Sequence, residues 1–272
     1  MSTVIELLIA AAMAISALVM HELAHVLATN YLGGRVEKIG ILPLGFAARL
    51  QGLEKLLAWE RYVIYVAGST ANVIIAAWTF SVSRMSYFGI PWLEQLALFN
   101  LVICIFNLLP VLPLDGGRVL HQFLANRIGI MRANRVMLRM GTCICWVLIL
   151  LGFVQVILHG YNITLLCAAM YLRSQNKTMK LSLQMELFKF LNAKKAPARG
   201  RLMPVRTVNI PAAASIKYAL ERLTIDHFTE FRFNGHVLSE MVLLQHIFSD
   251  GISGTVASLE DSALPRFIES KV

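Results

Sequence analysis

Uncharged apolar runs recur along this chain at a length that a bilayer would set. Residues 62–83, 95–114 and 140–158 carry no charged side chain. Each is long enough to cross a hydrocarbon core of about 30 Å as a helix. Another run fills residues 7–20, is interrupted by His21-Glu22, and continues apolar over residues 23–32 apart from His25 and Asn30. The pattern passes through the interruption, which predicts one helix over about residues 4–31. A secretory leader fits this stretch poorly, because no basic residue precedes the apolar run and no small-residue cleavage site precedes a polar chain. A fifth run, residues 160–173, is only roughly 20 Å long as a helix. It reads as a span through tilted or thinned bilayer, or as the return arm of a helical hairpin.

Composition supports the same reading. Of the 272 residues 57% are hydrophobic and 15% charged, and the mean hydropathy is +0.64. A soluble domain needs more polar surface to cover its core. The net charge of +9 is compatible with a nucleic-acid partner or with basic cytoplasmic loops, and its placement decides between them. Arg35, Lys38, Arg49, Lys55 and Arg61 fall between the first two spans. Arg118, Arg127, Arg132, Arg135 and Arg139 fall between the third and fourth. Lys177, Lys180, Lys189, Lys194 and Lys195 follow the fifth, whereas the opposite side carries little beyond Arg84. This asymmetry places the amino terminus outside and the carboxyl terminus in the cytoplasm, and it explains most of the basic excess without a nucleic-acid partner. Cys104, Cys143, Cys145 and Cys167 lie inside apolar runs and read as small apolar residues rather than disulfides or metal ligands.

Ionisable groups inside a spanning helix are costly and mark function. His21-Glu22-Leu23-Ala24-His25 is the first such group. Residues i and i+4 share one helix face, so His21 and His25 can present both imidazoles to one metal. Neutral imidazole suits zinc, and catalytic zinc keeps three protein ligands and a water. Glu22, beside a ligand, is placed to act as general base. The third ligand is expected to be Asp115, in Asn107-Leu-Leu-Pro110-Val-Leu-Pro113-Leu-Asp115-Gly116-Gly117. Two prolines interrupt the helix and two glycines permit a sharp turn, so the span breaks where a carboxylate must face inward. The alternative is that Asp115 is the N-cap of a helix starting near Gly117. Asn107, Pro113 and Asn72 are candidates for substrate or oxyanion contacts. Asn72 can equally bond a neighbouring helix, with the small residues around it favouring close packing. His121 reads as a group behind the ligands or a residue of the following helix. His159, His227, His236 and His246 read as loop or soluble-domain residues.

Taken together these motifs resemble the site-2 protease family of intramembrane zinc metalloproteases over about residues 5–125. His21-Glu22-x-x-His25 matches the zinc motif. Asn107-x-x-Pro110-x-x-Pro113-x-Asp115-Gly116 matches the motif of the third ligand. Ala67-Gly68-Ser69-x-x-Asn72 is similar to an Ala-Gly-Pro-x-x-Asn stretch, with Ser69 in place of proline. Within the family the chain is most similar to the sporulation branch, which processes a mother-cell sigma-factor precursor: helices follow the Asp-Gly motif, no PDZ-like insertion separates the spans, and a small carboxyl-terminal domain closes the chain. No helix precedes the zinc-motif helix, so the amino end reads as shorter than in well-known members. The resemblance implies one zinc ion per chain, cleavage of a membrane-associated protein near the cytoplasmic face, and membrane regulatory proteins as partners. It implies a multi-pass protein of a bacterial cell membrane, or of the mother-cell membrane around the forespore. Residues 39–51 are apolar but broken by Gly40, Pro43 and Gly45. They read as a hairpin dipping into the membrane, able to pair with an unwound substrate, or as a plain interfacial loop.

The expected fold is an all-α polytopic membrane protein, about five transmembrane helices around a three-helix catalytic core, with a small α/β cytoplasmic carboxyl-terminal domain. Residues 1–173 form the transmembrane protease domain, 174–200 an amphipathic segment and linker, and 201–272 the small domain. In the last, the order strand 205–210, helix 215–223, strands 230–233 and 235–238, helix 239–248 resembles a single cystathionine-beta-synthase-type (CBS) motif. That implies an adenine nucleotide, although Val242 stands where such motifs carry a ribose-binding aspartate. Homo-oligomerisation or substrate docking through the domain is the alternative. A membrane metal transporter or metal sensor would use the same three ligands without chemistry, but neither needs the base Glu22. A catalytically silent scaffold would not keep the whole set.

Overall fold

The computed structural model describes residues 2–42, 45–53, 56–85, 90–159, 163–195, 204–249, 251 and 254–259. Helix α1, Ser2–Tyr31, contains no proline or glycine and buries a narrow stripe at four-residue spacing: Ala17, His21, His25 and Thr29. Its end is set by Gly33, whose φ of 82° lets the Gly34 N–H return to the Thr29 carbonyl at 2.9 Å. Strands β1, Arg35–Leu42, and β2, Gly45–Gln51, then pair antiparallel from Arg35↔Gln51 to Leu42↔Gly45, with an irregularity between Val36 and Lys38. The hairpin expected over residues 39–51 is therefore present, and β2 lies alongside α1.

Helix α2, Ala58–Met85, is tied to the hairpin's exit by Arg61. This guanidinium is 1% exposed and donates to the carbonyls of Leu56 and Leu53 at 3.2 and 3.4 Å. Helix α3, Pro91–Asn107, starts with proline, whose missing N–H costs nothing in a first turn. It stops at Asn107 rather than continuing to residue 114, because Pro110 and Pro113 cannot extend the helical hydrogen bonding. Helix α4, Asp115–Ile128, follows an irregular stretch of seven residues.

Helix α5, Ile130–His159, and helix α6, Thr164–Lys195, form an antiparallel hairpin. The short fifth apolar run and the basic stretch after it are one unbroken helix, since neither glycine nor proline occurs within α6. Gly141 and Gly152 allow the close approach: a Cβ on Gly141 would lie 2.7 Å from Asn176 Oδ1, and one on Gly152 2.9 Å from Leu166 Cα. Asn176 Nδ2 donates across the seam to the Leu138 carbonyl and Thr142 Oγ1 at 3.2 and 3.1 Å.

Among the described residues, α1, α2 and α5 are long and apolar enough to cross a membrane, and α3 is a shorter apolar helix. Their outward side chains include Leu7, Leu8, Ile74, Trp78, Trp146, Leu150 and Ile157, all more than half exposed. An apolar outside over buried His, Asn and Asp is the arrangement expected of a chain solvated by lipid.

The small domain follows the expected element order: β3, Val205–Asn209; α7, Ile216–Leu220; β4, Phe228–Phe233; β5, His236–Ser239; α8, Glu240–Ser249. The sheet order is β3-β4-β5, with β3 parallel and β5 antiparallel to β4. Asn234 and Gly235, both at positive φ, make the two-residue hairpin turn that suits the strand twist. Ser215 caps α7 by accepting from the Tyr218 N–H. Phe231, Leu238, Leu243, Ile216, Leu223 and Leu259 make the core.

The chain divides into two compact units, residues 1–120 and 121–272. Within the second, the α4–α5 corner carries the small domain. Asn126 Nδ2 donates to Asp226 Oδ2 at 2.6 Å, and the Asp226 N–H returns to Asn126 Oδ1 at 3.3 Å. The Ile130 N–H donates to the Leu223 carbonyl at 3.0 Å. Arg135 Nη1 reaches Glu221 Oε1 at 2.9 Å, and Arg132 Nε reaches Oε2 at 3.5 Å. That pairing, chiefly the hydrogen bond from Arg135, holds the Glu221 carboxyl below the usual carboxylate range.

Candidate metal centre

The face of α1 that carries His21 and His25 turns away from the apolar exterior. His21 is 2% and His25 6% exposed, and Asp115, the first residue of α4, is 6% exposed. Three groups expected from the sequence to act together are therefore brought together. His25 Nε2 lies 3.2 Å from His21 Nε2 and 3.1 Å from Asp115 Oδ2, and His21 Nε2 lies 3.2 Å from the same oxygen. The two rings meet edge to face, with centroids 4.8 Å apart.

These distances identify what fits. Zinc with four ligands at about 2.0–2.1 Å sets its ligand atoms about 3.3 Å apart. Two imidazole nitrogens and one carboxylate oxygen at 3.1–3.2 Å from one another match that spacing, and the donor set is one that zinc prefers. His25 Nδ1 lies 2.7 Å from the Ile64 carbonyl. That carbonyl accepts, so the proton sits on Nδ1 and the Nε2 lone pair faces the other two ligands, as a metal-binding histidine requires. The Thr29 hydroxyl donates to the His25 carbonyl at 2.7 Å.

Two features were not legible in the sequence. Gly68 of α2 faces the centre: a Cβ there would lie 2.7 Å from His21 Nε2 and Cε1, and closer still to His25 Nε2. Gly68 thus keeps open the side of the ligands that a metal and its water need. The sequence signals were the run of small residues around it and the motif Ala67-Gly68-Ser69-x-x-Asn72, neither of which says that Gly68 faces the histidines. The Ile64 carbonyl left no signal, because every residue has one. The glycines after Asp115 are explained by proximity rather than by a left-handed turn. A Cβ on Gly116 would strike the Leu108 carbonyl, and one on Gly117 would lie 2.5 Å from the Val111 carbonyl oxygen. The proline-broken segment folds back onto the first turn of α4 and aims Asp115 inward.

The remaining candidates divide. Glu22 is half-buried on α1, next to His21. Asn107 is half-buried and donates to the Ile103 carbonyl of its own helix at 3.1 Å. Pro113 lies in the irregular segment before Asp115, and its peptide bond with Leu112 is cis. Asn72 is fully buried. His121 lies on α4 and pairs with Asn134 Oδ1 at 2.5 Å. The His159 side chain lies outside the described residues. Among the described residues, His21, His25 and Asp115 are the group able to hold a metal ion.

Comparison with known proteins finds similarity to metalloproteases. Residues 84–148 match peptidase family M50. The chain is 30% identical over 156 residues to a zinc metalloprotease of Methanocaldococcus jannaschii, covering 56% of this chain and 44% of that protein. It is 25% identical over 129 residues to stage IV sporulation protein FB of Bacillus subtilis, covering 47% and 45% respectively. The chain thus spans under half the length of these relatives. A solved structure, the site-2 protease from Methanocaldococcus jannaschii, aligns with 61% of this chain and 74% of its own, at 28% identity and a TM-score of 0.49.

Proposed function

We propose that this chain, an integral membrane relative of the site-2 proteases of peptidase family M50, is an intramembrane zinc metalloendopeptidase. The carrying observation is the convergence of His21, His25 and Asp115 ligand atoms at 3.1–3.2 Å, buried between apolar helices with Glu22 beside a ligand. Zinc held there supplies a Lewis acid that brings the pKa of its water near 7. The chain's own groups do the rest. Glu22 takes the proton of the attacking water and returns it to the leaving amine. Asn107 and Pro113, at the broken end of α3, hold the substrate backbone near the ligands. The β1–β2 ribbon is two-stranded among the described residues. Its outer edge takes an unwound substrate segment as a further strand, which exposes a peptide bond that a helix would shield.

The substrate is a membrane-associated protein cut near the cytoplasmic face. A sporulation sigma-factor precursor is the specific proposal, supported by the similarity to the Bacillus subtilis protein. About five spans follow from the apolar runs, and a cytoplasmic carboxyl terminus from the placement of Lys and Arg. The small domain acts as a CBS-type module that docks substrate or a second copy. The test is Glu22→Gln on the full chain, with zinc analysis and cleavage of a co-expressed membrane substrate. Retained zinc with cleavage lost is expected, at a cost of about 10²–10⁴-fold for a removed general base. Retained cleavage overturns the mechanism, and a wild-type chain that holds zinc but cleaves nothing favours transport or sensing.

A further inference from the structure

The two histidines are not supported alike. His25 has its Nδ1 partner in the Ile64 carbonyl, whereas His21 Nδ1 is buried with no hydrogen-bond partner. Both nitrogens need an acceptor once the Nε2 atoms face a cation. The register between α1 and α2 shows where one stands. His25 meets Ile64, and Gly68, one turn on, meets both His25 and His21. A step up α2 is thus a step down α1, and the helices run antiparallel. The next turn of α2 brings Asn72 to the level of His21 and Ala17. Ala17, 2% exposed, is small enough to leave room for a neighbouring amide.

Asn72 is 0% exposed, and neither its Oδ1 nor its Nδ2 has a partner. An unpaired buried amide costs about 1–3 kcal/mol, so its retention at this position needs a use. Full burial disfavours direct contact with substrate, the role its residue type first suggested. Ser69 Oγ, three residues back on the same helix, is also unpartnered and buried, and stands ready to receive the amide nitrogen.

We infer that Asn72 is the positioning residue of His21: its Oδ1 accepts the His21 Nδ1–H when metal is bound, as the Ile64 carbonyl does for His25. This fixes the tautomer that leaves Nε2 free to ligate. The inference rests on the zinc reading of the site and is separable from it. The experiment measures zinc affinity of the full chain in detergent by chelator competition, together with the cobalt(II) absorption spectrum, for wild type, Asn72→Leu, Asn72→Ala and Asn72→Asp. The Leu and Ala variants are expected to bind zinc about 10–100-fold more weakly, the usual cost of losing such a partner, with a shifted cobalt band. Asn72→Asp keeps an acceptor and is expected within a few-fold of wild type. Ala serves if Leu does not fold. Wild-type affinity and spectrum in Leu or Ala, or an Asp variant as weak as they are, overturns the inference. A wild-type chain without zinc overturns the site itself.

Discussion

Two polar clusters lie at opposite ends of α4, and they are built on opposite principles. At its start, two imidazole nitrogens and a carboxylate oxygen, all able to ligate a metal, face one another at 3.1–3.2 Å. At its end, donors face acceptors: Asn126 and Asp226 exchange two hydrogen bonds, and Arg132 and Arg135 share Glu221. The second cluster is complete without any further group and holds a domain in place. The first offers three ligand atoms to a cation, and Gly68 keeps the space beside both imidazoles clear. Burial alone does not separate chemistry from architecture here, since both clusters contain buried charged groups. The pairing of donors with acceptors does.

The largest expected effect tests the open side of the first cluster. Gly68→Val drives carbon into the space beside both imidazoles, so zinc content should fall to background and cleavage by at least ~100-fold. A variant with full zinc would show that the space is not needed. The second cluster should respond in stability instead. Gly129→Ala places a Cβ against the Glu221 carbonyl at a φ of 92°, and should lower stability by about 2 kcal/mol with zinc content unchanged. Thermal unfolding in detergent, followed with metal analysis, reads both quantities. Asn126→Ala removes both hydrogen bonds between Asn126 and Asp226 and should cost about 1–3 kcal/mol. Its signature is faster proteolysis of the small domain with zinc retained.

The smallest effect is a pH dependence. Glu221 titrates below its ordinary value in the folded chain because Arg135 and Arg132 stabilise the carboxylate. Its contribution is therefore fully present above the unfolded carboxyl pKa of about 4.3 and is lost as pH falls through the lower folded value. Arg135 is half exposed, so solvent screening keeps the contribution small. Glu221→Gln should flatten the acid limb of the small domain's stability curve and leave its neutral-pH zinc content untouched.

Much of the site was legible because its signals are local. The i, i+4 spacing of His21 and His25 places both on one face of any helix, and charged groups in an apolar run advertise a cost that something must offset. The two prolines announced that the third apolar run would break before Asp115. The hairpin over residues 39–51 was also readable, from Gly40, Pro43 and Gly45, and so was the strand–helix order of the small domain. The exact end of α3 at Asn107, and the fusion of the fifth run with the basic stretch into one α6, were not. Hydropathy marks where a chain is apolar, whereas helix ends depend on where the backbone bonds can continue.

By itself, then, the sequence determined the residue types, their helical faces and the donor set suited to zinc, because these follow from spacing within single elements. Only the tertiary structure decided which partners meet them. It placed Asp115 against two histidines about 90 residues earlier and set the Ile64 carbonyl behind His25. It also brought Gly68 against both rings and left Asn72 and His21 Nδ1 unpaired on neighbouring helices. Those outcomes depend on the register of one helix against another, and no spacing along a single chain segment encodes it.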